Sequence, residues 1–233
     1  MPNPFLRIPR GRLSSCNKTR EHREWTSAEV LRLIAEGHKL DERTTAQAEY
    51  GEMIEFKIRT GGRLGEVSGA RYRNIDFEQG VWIVSGQWTR EGEWVDYTKT
   101  EKSLGRRVPL APQLVKKIAA RKLRTGSGDD DFIFAARNSK PMSHSNFRRR
   151  GWNLAVANAE LTDGPKVTPH DARHAFASEA ADLGLESSDV ADVLGHTTAG
   201  ITEKIYTHAF NRDQREERVR QAMSKAMAAG EGR

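Results

Sequence analysis

The strand-like segments of this chain stand together, and helical patterns lie on both sides of them. The segments YRNIDF, GVWIVSG, EWVDYTK and RRVPL all fall within residues 72–110, and only the short apolar stretch DFIFAA lies elsewhere. A doubly wound sheet requires strands and helices in alternation, so this order excludes that fold class. The sequence instead predicts an α+β domain that is mainly helical and contains a small antiparallel sheet.

Cap and turn signals predict the boundaries of the first elements. Thr26 or Ser27 can cap a helix, and Gly37 is a natural stop for it. A second helix should end at the glycine pair 61–62, and LGEVSG follows as a short helical turn. The segments EWVDYTK and RRVPL, joined by TEKSLG, are expected to pair as a hairpin.

The chain carries a modest excess of positive charge. Its 233 residues include 38 Lys and Arg against 32 Asp and Glu, which gives a formal net charge of +6. This balance favours a polyanionic partner, with nucleic acid ahead of a membrane surface. Cys16 is the only cysteine, so an internal disulfide is excluded and a reducing, cytoplasmic compartment is expected. No segment is apolar enough to predict a membrane span.

Four of the seven histidines fall between Val167 and Phe210. In TPHDAR, Thr168 is a good N-cap, and it places His170 in the first helical turn with Arg173 one turn later. Unpaired backbone N–H groups and the positive end of the helix dipole favour a phosphate there. A capped surface helix with an ordinary His and Arg explains this motif equally well when it is taken alone.

Two further short helices follow in the same region. Gly195 is a natural αL stop for SSDVADVL, and it leaves His196 just beyond the helix end. Ile201 and Ile205 form the apolar stripe of the third helix, which puts Tyr206 on its flank. Each of these residues has an ordinary structural explanation when it is taken alone. Those explanations do not account for the occurrence of three such helices in succession, with His170 and Arg173, then His196, then Tyr206.

Upstream, Arg63 follows the double glycine and stands three residues before Glu66. The glycines allow a sharp turn that presents Arg63 at an irregular position. Glu66 can then hold the guanidinium through a charge-assisted hydrogen bond. A surface i,i+3 ion pair worth about 0.2–0.5 kcal/mol is the alternative.

Five segments in order resemble the catalytic domain of the tyrosine recombinases, also called the phage integrase family. They are TGGRLGE, YTKTEKSLGRRVPL, TPHDARHAFAS, VADVLGHTT and ITEKIYTH, and the match runs from Trp25 to beyond Tyr206. The resemblance implies an integrase-like catalytic domain that acts on double-stranded DNA in a bacterial cell or a phage-infected host. It implies a catalytic set made of Arg63, Lys99, His170, Arg173, His196 and Tyr206. Lys102 lies in the same predicted hairpin turn and stays an alternative to Lys99.

The chemistry of these residue types agrees with that implication. Two arginines suit the non-bridging oxygens of a phosphodiester, where charge builds up as a nucleophile adds. A tyrosine has an ordinary pKa near 10, so ionising it at pH 7 costs about 4 kcal/mol unless cations lower that cost. The sequence contains neither a P-loop nor a carboxylate cluster suited to two metals, so we expect a reaction without a cofactor.

Basic residues outside this set are candidates for DNA binding. They are Arg148, Arg149 and Arg150 in the segment FRRRGW, and Arg71 and Arg73 further upstream. A solvated run of charge is as good an interpretation of the first group. Beyond Tyr206, a narrow stripe of Val, Ala and Met at helical spacing predicts a tail helix. In the resembled family this segment often docks on a neighbouring protomer, so we expect a homo-oligomer on DNA with tail exchange.

The domain layout follows from the same match. Residues 1–24 are predicted to be a linker or arm, and residues 25–233 the catalytic domain with its tail helix. Because recombinases of this family usually carry a core-binding domain ahead of the catalytic one, we expect the chain to be a catalytic fragment, and a naturally minimal member of the family is the alternative. Two other functions stay open: DNA relaxation of the type IB topoisomerase kind, and a catalytically idle DNA-binding module.

Overall fold

The computed structural model describes residues 23–43, 49–96, 104–136 and 138–196, together with Gly200 and Arg220. The helices described are α1 (Ser27–Arg43), α2 (Tyr50–Thr60), α3 (Leu64–Ser68), α4 (Pro112–Thr125), α5 (His144–Asn146), α6 (Asn153–Asn158), α7 (Asp171–Asp182) and α8 (Ser187–Leu194). A 3₁₀ turn (Tyr72–Asn74) precedes the first strand, and a π-helical segment (Phe147–Trp152) connects α5 to α6. None of the described helices is long and apolar enough to cross a membrane.

The strands form two small antiparallel sheets. The strands are β1 (Ile75–Asp76), β2 (Val81–Ile83), β3 (Gln87–Trp88), β4 (Trp94–Val95) and β5 (Arg107–Pro109). One sheet has the order β1-β2-β5, and β3 pairs with β4 in the other. The α+β class, mainly helical with a small antiparallel sheet, is therefore confirmed. The expected pairing of EWVDYTK with RRVPL is wrong for the described residues, because β4 pairs back onto β3 and β5 pairs onto β2.

The core lies between α2, the three-stranded sheet and the helices that follow. Phe56 of α2 meets Trp82 of β2 edge to face, with ring centroids 5.1 Å apart, and both side chains are buried. Trp152 is fully buried as well, and its indole N–H donates to the carbonyl of Val167 ahead of α7. These contacts fix the ends of α2 and α7 on the same core, which brings the two predicted arginine motifs together.

The first helix begins where the sequence predicts and ends later. Thr26 accepts from the backbone N–H of Glu29, and the Glu29 carboxylate accepts from the backbone N–H of Thr26, which is a capping box. Gly37 does not stop the helix, and that prediction was wrong. It lies where α1 crosses α2: a Cβ built on Gly37 would stand 3.2 Å from the Cα of Gly51. The glycine serves close helix packing here, not termination.

Gly51 should be the least replaceable residue at this crossing. A Cβ at Gly51 would lie 2.5 Å from both the carbonyl oxygen of Gly37 and the backbone nitrogen of His38. Because the obstacle is backbone, the helices must separate. We expect Gly51→Ala to lower the free energy of unfolding by about 3 kcal/mol, measured by urea denaturation. Gly128→Ala is the control, since its Cβ would find only the Asp131 carboxylate at 3.7 Å. Equal stability of the two variants would contradict this account of the crossing.

Candidate active site

Arg63 is presented by the sharp turn between α2 and α3. Helix α2 ends at Gly61, whose φ of 61° lies in the left-handed region that favours glycine. A Cβ on Gly62 would stand 2.7 Å from the Val67 side chain and 2.9 Å from the Trp82 ring. The two glycines therefore let the chain turn tightly against the core, and Arg63 follows in an extended conformation as the residue ahead of α3.

Glu66 joins Arg63 to a second arginine. Arg63 Nη1 donates to Glu66 Oε1 at 2.9 Å, as the spacing predicts. Arg106, which precedes β5, donates to the two oxygens of the same carboxylate at 3.0 and 2.7 Å. The Glu66 side chain is fully buried and that of Arg106 nearly so. Burial alone would raise the pKa of Glu66, but the hydrogen-bonded Arg106 and the charge of Arg63 outweigh it and lower this pKa to about 2.

The last carbonyls of α8 meet the arginines of the site. Arg106 Nε donates to the carbonyl of Val193 at 2.9 Å, and Arg173 Nη2 donates to that of Leu194 at 2.8 Å. Arg63 Nη2 lies 3.5 Å from the carbonyl oxygen of Gly195. Terminal helix carbonyls have no partner within the helix and carry partial negative charge, so cations stabilise them. The C-terminus of α8 therefore gathers guanidinium groups from three different elements.

Arg173 also ties this cluster to the turn before Arg63. Its Nη1 donates to the carbonyl of Gly61 at 2.6 Å, and its side chain is almost completely buried. Its Nη2 lies 3.2 Å from Nε2 of His196. Because an arginine offers only donors, Nε2 of His196 is the acceptor here and a neutral ring carries its proton on Nδ1. The ends of α2 and α8 are thus joined through one side chain of α7.

His196 stands directly after the αL residue Gly195, as the sequence predicts. Its backbone N–H donates to the carbonyl of Ala191 at 2.9 Å, which fixes the residue on the helix end. Burial and then the charges of Arg173 and Arg63 lower the pKa of His196 to about 4. At neutral pH the ring is therefore uncharged, and it contributes a hydrogen-bonding group to the cluster without adding another positive charge.

His170 lies on the exposed side of the same region. Thr168 donates to the Asp171 carboxylate through its hydroxyl and its backbone N–H, both at 2.6 Å, and this contact starts α7. His170 immediately precedes α7, and its ring packs edge to face on that of His174 with centroids 5.5 Å apart. The side chain is exposed, whereas Arg173, one turn later, is buried. Solvent and a large ligand can reach His170.

The structure thus brings together four of the predicted site residues: Arg63, Glu66, Arg173 and His196. The predicted catalytic residues Lys99 and Tyr206, and the alternative Lys102, lie outside the described residues. So do the arm up to residue 22 and the stripe of the tail helix. The roles assigned to all of these residues stay predictions.

The predicted DNA-binding arginines fall into two groups. Arg148, Arg149 and Arg150 are exposed on the π-helical segment. Arg71 packs over the Phe132 ring at 4.0 Å and donates to the carbonyl of Asp130 at 2.6 Å, and Arg73 pairs with the Asp130 carboxylate at 2.6 Å. The first group is therefore open to a ligand, whereas the second is engaged with the protein. Binding of DNA by either group stays a prediction.

Two residues of the site were not predicted. Arg106 stands before a strand and carries no local signal, because its partners Glu66 and Val193 are distant in sequence. Lys57 is buried within α2 and its Nζ donates to the carbonyl of Gly62 at 2.6 Å. Spacing could have found Lys57, since it lies three and four residues after the buried Ile54 and Met53 and so belongs to the buried face.

The part of the chain that the structure describes contains no cluster of three or more His, Cys, Asp or Glu side chains that could hold a metal ion.

Comparison with known families identifies the chain. A model described as the phage integrase family matches residues 24–212. The chain belongs to the phage integrase family. It is 25% identical over 197 residues to the transposase from transposon Tn916 of Enterococcus faecalis, a match that covers 75% of this chain and 48% of that protein. It is 29% identical over 161 residues to the tyrosine recombinase XerD of Vibrio cholerae, covering 67% of this chain and 48% of that protein. The chain spans about half the length of the curated relatives it matches.

Solved structures show the same fold. The Tn1549 transposon integrase, in complex with transposon right end DNA, aligns with a TM-score of 0.70 at 24% identity, covering 95% of this chain and 72% of that one. The catalytic domain of bacteriophage HP1 integrase aligns with a TM-score of 0.55 at 19% identity, covering 86% of this chain and 95% of that one. The integrase-like fold that the five sequence segments imply is confirmed.

Arg106 offers a direct test of how this integrase-family site is held together. Arg106→Met leaves the buried Glu66 carboxylate with Arg63 alone, so we expect the free energy of unfolding to fall by about 3–5 kcal/mol at pH 7. Arg107→Met is the control. Arg107 is the exposed neighbour of Arg106, and among the described residues its side chain bonds only to Gln79. Urea denaturation of both variants measures the difference.

The pH dependence of that difference follows from Glu66. Its pKa in the folded protein lies below the ordinary 4.5, so its contribution to stability is complete above pH 4.5 and is lost as the pH falls toward 2. The stability gap between the Arg106→Met variant and the parent protein should therefore narrow over that range. A gap that stays constant with pH would mean that Arg106 acts through other contacts.

Proposed function

We propose that this chain is the catalytic part of a tyrosine site-specific recombinase that cleaves and rejoins DNA through a 3′-phosphotyrosyl intermediate. The observation that carries the proposal is the hydrogen-bonded cluster of Arg63, Arg173 and His196 at the end of α8. The membership of the chain in the phage integrase family supports the same function, as do relatives named tyrosine recombinase. The related Tn1549 integrase is described in complex with DNA.

The cluster suits a phosphodiester in the transition state. Arg63 and Arg173 are fixed by carbonyl and carboxylate acceptors, so their guanidinium planes need no reorganisation when charge develops on the phosphate oxygens. His196, neutral at pH 7, brings one further donor. Fixed donors in a largely buried site stabilise a developing charge more strongly than water does.

Tyr206 is the proposed nucleophile. Its hydroxyl oxygen attacks the phosphorus and its proton passes to His170, while the bond from phosphorus to the 5′-oxygen breaks. Lys99 is the proposed acid that protonates this departing oxygen. The products are a 3′-phosphotyrosine and a free 5′-hydroxyl. The phosphoester bond is kept, so a 5′-hydroxyl from another strand can reverse the step without ATP.

The two alternative functions make different products. A type IB topoisomerase would form the same covalent link but would relax supercoiled DNA without exchanging strands. An idle binding module would form no link. The shared features with integrases and XerD favour strand exchange, and a two-substrate assay that scores recombinant product against relaxation separates all three.

Tyr206→Phe tests the nucleophile. The change removes one hydroxyl and keeps shape and charge, so covalent linkage to a nicked suicide duplex should disappear while non-covalent binding stays nearly unchanged. A denaturing gel of protein and labelled DNA measures the first, and fluorescence anisotropy the second. Tyr97→Phe is the control and should keep the covalent band. Tyr72 is an unsuitable substitute, because its hydroxyl is buried. A covalent band in Tyr206→Phe would transfer the role to another residue.

Substrates with sulfur at the 5′-bridging position test the general acid. A thiolate leaves without needing a proton, so Lys99→Ala should cleave ordinary DNA slowly and the sulfur substrate at nearly the parental rate. Arg173→Ala is the control that sulfur should not rescue, because its charge acts on the non-bridging oxygens. Rescue of Lys102→Ala in place of Lys99→Ala would reassign the acid.

We also propose that the chain assembles as a homo-oligomer on DNA and exchanges its tail between neighbours. The support is the narrow apolar stripe of Val219, Ala222, Met223, Ala226 and Met227. A stripe of Ala and Met buries too little surface to hold a dimer alone, so the protein without DNA should be monomeric. Residues 1–24 are proposed to act as the arm that leads into this catalytic domain.

Deletion of the tail after Gln214 tests the assembly. Binding of one protomer to DNA with a single site should persist, and cooperativity between two sites should fall. Gel shifts on one-site and two-site duplexes measure this, and sedimentation gives the state without DNA. Unchanged cooperativity, or a stable dimer in the absence of DNA, would contradict tail exchange.

A further inference from the structure

A second cationic site lies beside the proposed catalytic cluster. A pocket of about 570 Å³ opens next to His170 and the start of α3. Its basic lining is contributed by Lys57, Arg90, His144, Arg148, Lys166 and His170. No Asp or Glu is among the residues that line it, and neither are Arg63, Arg173 and His196. The pocket, called here the basic pocket, is thus distinct from the arginine cluster, and it shares His170 with the predicted catalytic set.

Lys57 is the unusual member of this lining. It is 1% exposed, and among the described residues its one hydrogen bond is to the carbonyl of Gly62. An ammonium group carries three donors, so a single neutral acceptor leaves most of its capacity unused. No described carboxylate forms an ion pair with it, although Glu66 and Asp171 lie close enough to act on its charge.

The buried position of Lys57 is costly in the protein without DNA. Burial, followed by the charge of Arg173, lowers the pKa of Lys57 to about 7. A methionine of similar size would fill the same space without the desolvation cost of a buried charge. The lysine therefore does not fit a purely structural role. An anion in the basic pocket would supply the counter-charge that the protein lacks.

The rest of the lining fits the same ligand. His144 has a buried Nε2 without a hydrogen-bond partner in the described part of the chain. Arg90 stands on the turn between β3 and β4, Arg148 on the π-helical segment and Lys166 on the loop before α7, and all three are exposed. Exposed cations from three separate elements thus line the pocket together with the buried Lys57. This arrangement fits a phosphate group that enters from solvent.

We propose that the basic pocket binds a backbone phosphate of the DNA strand, one that neighbours the phosphate to be cleaved. The inference rests on the proposed function only for that neighbouring position, because His170 lines the basic pocket and also belongs to the predicted catalytic set. A phosphate that does not react can still position the strand, because contacts to the sugar-phosphate backbone fix the register of a protein on DNA. The energy of this contact holds the reacting phosphate in place at the arginine cluster.

The salt dependence of DNA binding tests the proposal. Each phosphate contact contributes about 0.9 to the slope of log affinity against log salt concentration on duplex DNA. Lys57→Met and Lys166→Gln should each lower the slope by about 0.9, measured by fluorescence anisotropy with a short random-sequence duplex between about 50 and 200 mM salt. Because Lys57 is buried, a phosphate can meet it only inside the pocket. Lys39→Gln, an exposed lysine paired with Glu36, is the control and should leave the slope unchanged.

The double variant Lys57→Met/Lys166→Gln adds a second readout. If both lysines contact one phosphate, its slope should match that of either single variant, since the contact is already lost. An unchanged slope in Lys57→Met, with a thermal melt at least as high as that of the parent, would overturn the proposal. So would a drop in Lys166→Gln alone, because the phosphate would then stay outside the pocket.

Inorganic phosphate distinguishes the source of the ligand. Suppose that inorganic phosphate binds the parent protein and not Lys57→Met, while the salt slopes of DNA binding are the same for both proteins. The pocket then binds a free anion, and the proposal that it binds a DNA phosphate is wrong. The outcome is independent of catalysis, because anisotropy measures non-covalent binding. Failure of the proposed function would appear instead as the absence of a covalent protein–DNA band in the parent chain.

Discussion

The C-terminal end of α8 is the point on which the candidate site depends. Its carbonyls at Val193 and Leu194 accept from Arg106 and Arg173, and that of Gly195 faces Arg63. A helix end of this kind must find donors from elsewhere in the protein, and here the donors are the groups that suit a phosphate. One set of contacts therefore satisfies the backbone and aims the guanidiniums. Without α8 in place, three cations from distant parts of the chain would have no common anchor.

Positive charge exceeds negative charge around the C-terminal end of α8. The three arginines are balanced by the single carboxylate of Glu66 and by a helix end that carries roughly half a negative charge. The pKa of His196 falls to about 4 first because of burial and then because of this excess of positive charge. The excess also explains how Glu66 stays ionised although its side chain is completely buried. A cluster with this balance is more stable with an anion than without one, which is the property a phosphoryl-transfer site requires.

Local signals in the sequence predicted the ends of elements better than their partners. The glycine pair 61–62 was correctly predicted as the end of α2 and Gly195 as an αL stop, because a positive φ is a local demand that glycine meets. Gly37 was wrongly predicted as a stop, since its role is set by a helix that crosses it. The link from Glu66 to Arg106 spans 40 residues, and no periodicity contains it. Four site residues could be predicted from motifs, whereas the scaffold that holds them could be seen only in three dimensions.

The glycine turn connects the two cationic sites. The carbonyl of Gly61 accepts from Arg173 at 2.6 Å, and that of the next residue, Gly62, accepts from Lys57 at the same distance. One cation belongs to the arginine cluster and the other to the basic pocket, and Arg63 is the residue that follows. The two cations therefore bond to adjacent carbonyls of the turn that sets the direction of Arg63. The turn packs without a Cβ against Val67 and Trp82, so it cannot shift by much, and it holds both cations at fixed positions relative to Arg63.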